Sequence, residues 1–235
     1  MRTFIGWVLL VAVLGAAAYV LAPIVARPLI ADAVLAASPF GGEPLNVDVA
    51  VSPTGLLRGT IDSIHVTGAD LTTDRLAIGR LDVTASDVGV VDHAFTSMTG
   101  TLDAVELRRG DGSAIQASRV QLAGPSTEVE ATAAVGRDAT LDLVRGALEA
   151  GGLSTGNVAL VDGGVRVTIL GQPTVVTLGA ADGAVTIAGS IAGGGPIVVF
   201  GPEPGDPWQI TGVTVSSSGL EVRALLDLGP LLSGR

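Results

Sequence analysis

The chain has 235 residues, a formal net charge of −10 and no cysteine. That acidity excludes nucleic acid, whose phosphates need a basic counter-surface, and the missing cysteines exclude disulfides, thiolate metal sites and a lipidated N-terminal cysteine. Glycine reaches 33 residues and aromatics only 3%, which suits many twisted strands with tight turns, and a mean hydropathy of +0.58 predicts more internal apolar surface than a minimal core.

Phe4–Ala22 is an uncharged run of 19 residues with Arg2 ahead of it and Pro23 behind. At about 1.5 Å per residue such a helix just spans a bilayer's hydrocarbon core. The positive flank predicts a cytoplasmic N-terminus and an exported body on the periplasmic or cell-wall side. Its length favours an uncleaved anchor over a signal peptide cut after Ala16-Ala17-Ala18. The expected division is residues 1–23 as anchor or signal segment and 24–235 as the exported domain.

Ile24, Leu29, Ile30, Val34 and Leu35 share a helical face, so Arg27–Ala37 is predicted as a short helix, followed by the loop SPFGGEP (38–44). Period-two alternation then predicts strands at Leu45–Val51, Gly59–Leu71, Leu76–Val91, Gly100–Arg108, Ala114–Leu122 and Thr127–Ala133. Arg109-Gly110-Asp111-Gly112-Ser113 reads as a hairpin turn whose adhesion-tripeptide spelling is coincidental. Asp138–Ala150 is the one convincing internal helix, with Leu141, Val144 and Leu148 in one stripe and Gly151-Gly152 to end it. Beyond it strands are predicted at Val158–Val161, Val165–Leu170, Thr174–Leu178, Ala184–Ala188, Pro196–Phe200, Ile210–Val215 and Leu220–Asp227. In each of two halves a helix precedes a run of antiparallel strands, which is α+β rather than a doubly wound parallel sheet.

No catalytic constellation emerges. The two histidines are His65, mid-strand on a polar face, and His93, at a strand end beside Asp92. No serine lies in a nucleophile elbow. Glu128 and Glu130 read as a solvated strand face, and Gly193-Gly194-Gly195-Pro196 precedes a strand rather than opening a helix. Neither metal-ligand spacing nor a cofactor motif is present. What remains is apolar surface: a sheet clasping a helix can leave a groove for acyl chains, each methylene contributing about 0.8 kcal/mol. Composition alone favours the alternative, that these side chains complete a dry core.

One resemblance shifts that balance. Leu57-Arg58-Gly59-Thr60-Ile61-Asp62-Ser63-Ile64-His65-Val66 resembles the L-x-G-x-(I/V)-x-x-(I/V)-x-V strand of the LmeA-like phospholipid-binding proteins of actinobacterial envelopes. Leu76–Val90, and Ile210–Val215 leading to Gly219-Leu220-Glu221-Val222, resemble that family's closing strands. The resemblance implies an α+β fold with a curved antiparallel sheet wrapped around one or two helices, akin to tubular lipid-binding proteins, behind an N-terminal transmembrane helix. It implies a non-enzymatic carrier of phospholipid, phosphatidylinositol-type lipid among the candidates, that supports envelope glycolipid assembly at the membrane. The chain departs from the family by carrying its own anchor. On this reading Leu141, Val144 and Leu148 line the acyl groove, Phe95 and Met98 form a mobile lip, with core packing as the equal alternative for these two, and Arg58, Arg75 and Arg80 meet the head group. The rival reading is an exported β-rich interaction module with no ligand.

Overall fold

The structure, a computed structural model, describes residues 26–36, 40, 45–92, 94–109, 113–153, 155–169, 171–188, 195–203 and 205–228. Phe4–Ala22, His93, Gly193, Gly194 and most of the loop 38–44 lie outside these residues. Among the described residues no helix is long and apolar enough to cross a membrane.

The described chain is mostly strand. A helix, α1 (residues 26–36), precedes β1 (Leu45–Ala50), the short helix α2 (Pro53–Arg58), β2 (Thr60–Thr72), β3 (Leu76–Gly89), β4 (Ser97–Arg108), β5 (Ala114–Gly124) and β6 (Val129–Gly136). Helix α3 (Arg137–Ala150) follows, then β7 (Thr155–Val161), β8 (Gly164–Ile169), β9 (Gln172–Ala181), β10 (Ala184–Ala188), β11 (Ile197–Phe200), β12 (Trp208–Ser216) and β13 (Gly219–Leu226). Two antiparallel sheets result, neither closed into a barrel. The large one runs β1-β2-β3-β4-β5-β6-β13-β12 and the small one β11-β10-β9-β8-β7. The two halves expected from sequence are thus interlocked, because β12 and β13 return to extend the first sheet beside β6.

Local chemistry accounts for the punctuation. The Ser52 hydroxyl accepts from the Gly55 N–H at 3.0 Å and donates to Asp62 at 2.9 Å, and Pro53 occupies the first helical position, so α2 starts where a cap and a proline coincide. Asp138 sits in the first turn of α3, where the helix dipole favours it. The end of α3 is a Schellman motif: Leu153 N–H donates to Leu148 C=O (2.9 Å) and Gly152 N–H to Glu149 C=O (2.9 Å), with Gly152 at φ +78°. Arg109 N–H donates to Ser113 C=O at 2.8 Å, closing the predicted β4–β5 hairpin. Asp182-Gly183, both at positive φ, form a two-residue turn between β9 and β10.

Alternation in β2–β5 changes phase at three non-glycine residues of positive φ: Asp70, Asp87 and Ala104, at 53°, 51° and 52°. Register pairing skips these positions, so the apolar face steps by three residues, from Ile64 to Ile61, Gly68 to Leu71, Leu81 to Ile78 and Leu102 to Val105. The Leu71 side chain reaches to within 3.0 Å of where a Gly68 Cβ would stand, so both occupy one face. Aspartate tolerates the left-handed region; alanine has no such compensation, at a cost of about 1–2 kcal/mol. Ala104→Gly is therefore expected to raise the unfolding free energy by about 0.5–1 kcal/mol, measured as the urea midpoint at constant slope.

Most buried apolar side chains gather into two separate cores, with Leu71 and Ile78 buried outside both. The larger joins Val144 and Leu148 of α3 to Val165 and Val167 of β8, Ile187 of β10, Phe200 of β11 and Val222 of β13. Helix α3 contacts β5, β6 and β13 of the large sheet and β7 and β11 of the small one. The smaller core joins Val49, Ile61, Val88, Phe95 and Val129, with Ile30 of α1, Leu56 of α2 and Leu228 packed against it.

Candidate functional site

Between these cores the large sheet carries a continuous apolar strip. One row runs in register through Leu81, Leu102, Val120 and Ala133. Its neighbour runs through Val66, Val83, Gly100 and Leu122. Directly opposed side chains in such rows stand about 4.5–5.5 Å apart, so the first row is an unbroken surface, and in the second the Val83 side chain lies over Gly100. Leu81, Leu102, Val120, Val66 and Val83 are only half-buried and belong to neither core. The opposite face is polar and partly exposed, with His65 bonded to Asp82 (3.0 Å) and Arg119 to Asp103 (2.9 Å).

At the α3 side the strip deepens into a cleft of about 180 Å³ with an entirely apolar lining, including Leu107, Ile115, Phe200, Trp208, Ile210 and Leu226. Leu107, Ile115 and Trp208 also line a second hollow of about 180 Å³, whose other walls include Arg75, Arg108, Arg109, Glu203 and Asp206. The apolar cleft therefore opens beside charged groups. Arg75 pairs with Glu203 at 2.5 Å, tying the β2–β3 turn to the loop before β12. Arg108 pairs with Glu106 at 2.9 Å, and the Asp206 carboxylate accepts the Glu203 N–H at 2.8 Å. Three arginines stand among three carboxylates, so the mouth is close to electroneutral. Arg109 further lines a third hollow, about 540 Å³, along α3 with Gln116, Asp142 and Leu143.

The residues assigned from sequence are scattered over this frame. Val144 and Leu148 are fully buried in the larger core and Leu141 packs against it, so protein covers the α3 stripe. Phe95 is buried in the smaller core and Met98 is packed on it. The Phe95 segment is held by its neighbours, with Ser126 N–H donating to Phe95 C=O at 3.2 Å. Of the three arginines, only Arg75 stands at the mouth. Arg58 lies at the far end of β2, about 40 Å away for a 13-residue strand. Arg80 shares the exposed polar face with Asp103, its register partner.

Sequence reasoning missed Phe200, Trp208, Arg108 and Arg109. A signal existed for the first two: in a chain so poor in aromatics, Phe200 and Trp208 bracket the proline-rich segment GPEPGDP. The chain matches no family model, no curated protein and no solved structure.

Proposed function

We propose that this chain is a non-enzymatic phospholipid-binding protein of the bacterial cell envelope, tethered through Phe4–Ala22, with acyl chains lying on the apolar strip of the large sheet. The observation that carries the reading is a half-buried apolar surface between two finished cores, running from Val66 to Ala133 and into an all-apolar cleft. A self-sufficient domain gains nothing from leaving that strip uncovered, whereas a guest chain covering it gains about 0.8 kcal/mol per methylene. Helix α3, held between two sheets, supports the finer fold reading of a sheet wrapped around a helix, as in tubular lipid-binding proteins. Arg75, Arg108 and Arg109 at the cleft mouth are the groups best placed to meet a phosphate, as guanidinium matches its geometry.

One observation favours the rival reading of a ligand-free interaction module. The cleft, about 180 Å³, is smaller than the ~300 Å³ at which small-molecule sites usually begin. The strip must therefore supply the rest of the seat as an open gutter. The two readings separate in native mass spectrometry and lipid extraction of the full chain beside Leu102→Glu. Leu102 is half-buried, so the substitution should leave the fold intact, while a carboxylate on the strip costs several kcal/mol if a hydrocarbon chain covers it. Phospholipid retained by the parent chain and lost from the variant is the expected result. Equal lipid in both, contributed by the tether alone, or none in either, favours the interaction module.

A further inference from the structure

We infer that the end of the molecule formed by α1, α2 and the β3–β4 turn is a membrane-contact surface, which inserts apolar side chains into the interface of a lipid bilayer. The inference rests on the proposed tether through Phe4–Ala22 and on surface features away from the strip, and it does not depend on what the strip holds. Seven large apolar side chains are exposed among the described residues, and five of them lie on these three elements: Leu29, Leu35, Leu57, Val90 and Val91. Leu57 is 80% exposed and Val91 is 91% exposed. They are presented by rigid supports rather than scattered over a surface. Val90 N–H donates to Gly59 C=O at 2.9 Å, which fastens the β3–β4 turn to the end of α2. Ile30 of α1 and Leu56 of α2 pack on the same small core as Val88, so the three elements form one end of the body.

The occupant follows from the chain that precedes α1. Only three residues separate Ala22, the last of the uncharged run, from the first residue of α1. Even fully extended they span roughly 10–14 Å at 3.3–3.6 Å per residue. With that run in a bilayer, α1 and everything packed on it are held at the bilayer surface. The charges are compatible. Arg58 follows Leu57 on a stem long enough to reach phosphate while Leu57 inserts. Of the nearby acids, Asp92 accepts the Ala94 N–H at 3.2 Å and Asp87 the Thr96 hydroxyl at 3.1 Å, and both stay exposed, as does Asp32 of α1. A net charge of −10 gives the protein no general attraction to anionic lipid. Apolar insertion is therefore the driving force, and a zwitterionic bilayer suffices.

The absence of cysteine makes the test direct, because one introduced thiol is a unique attachment point. The full chain carrying Val91→Cys, labelled with an environment-sensitive fluorophore and reconstituted in phosphatidylcholine vesicles, should show blue-shifted emission and several-fold stronger quenching by spin-labelled lipid than Val175→Cys. Val175, 54% exposed on β9 of the small sheet, is the reference because it lies on neither α1, α2 nor the turn. Equal quenching at the two positions, or failure of the chain to float with the vesicles, would overturn the inference. Lipid extraction from the same preparation reports on the strip separately, so either reading can fail alone.

Discussion

Leu148→Ala is expected to lower the unfolding free energy by about 2–5 kcal/mol while leaving lipid retention by the folded fraction unchanged. Leu148 is fully buried, in the last turns of α3, against a core that includes Val165, Val167 and Ile187. Both sheets and the Schellman turn fix the helix on which it sits, so the surroundings cannot collapse into the space left behind. The cost then includes the cavity as well as the lost transfer free energy, about 24 cal/mol per Å³ of residual void. Urea titration followed by far-UV circular dichroism reads the loss, and lipid extraction at zero denaturant reads the second half of the claim. Leu102→Glu should behave in the opposite sense, with lipid lost and the urea midpoint displaced less. A small stability loss at Leu148 together with loss of lipid would place the acyl site on α3 after all.

That contrast marks where sequence stops being sufficient. Hydrophobic periodicity located the strands, and Ala184–Ala188 falls exactly on β10, because a half-buried strand imprints alternation on its own residues. Periodicity says nothing about partners. Leu220 pairs with Val135 across a long stretch of chain, and neither residue's neighbours encode that the β12–β13 hairpin crosses back to the first sheet. The same gap explains α3: the stripe Leu141, Val144 and Leu148 announces an apolar face, but a stripe covered by protein and one covered by a guest have the same spelling. The small sheet, built from residues downstream of the helix, decides between them. The phase shifts at Asp70, Asp87 and Ala104 were illegible for another reason. Strict alternation places Leu71 on the polar face, and only the positive φ at Asp70 returns it to the apolar side. Helix α2 was legible and passed over, since Ser52-Pro53 and Gly59 bracket it with a cap, a first-turn proline and a stop. The mouth arginines are a tertiary product: Arg75 pairs with Glu203, and Arg108 and Arg109 line the same hollow, only because β3 and β4 are neighbours and the loop before β12 reaches their end.

The returning hairpin also carries the most sensitive single atom position. Gly219 opens β13 at φ +151°, opposite Gly136 of β6, and a Cβ built there would lie 2.2 Å from the Val135 carbonyl oxygen. That oxygen belongs to the backbone of a central strand and cannot swing aside as a side chain does. Gly219→Ala must therefore either strain its own backbone or push β13 off β6. A sparsely populated φ costs about 1–3 kcal/mol by itself. With the collision added, a total of about 3–5 kcal/mol is expected, at the upper end for single substitutions. Gly163→Ala supplies the control: Gly163 has φ +81° with nothing within 4 Å of its missing Cβ, so it should show strain alone. The difference between the two urea midpoints isolates the contact between β13 and β6. Because β13 brings Val222, Ala224 and Leu226 to the wall of the apolar cleft, lipid retention should fall with Gly219→Ala and persist with Gly163→Ala. Equal destabilisation by the two substitutions would mean that β13 does not approach β6 as closely as this register requires, and the cleft wall it builds would have to be redrawn.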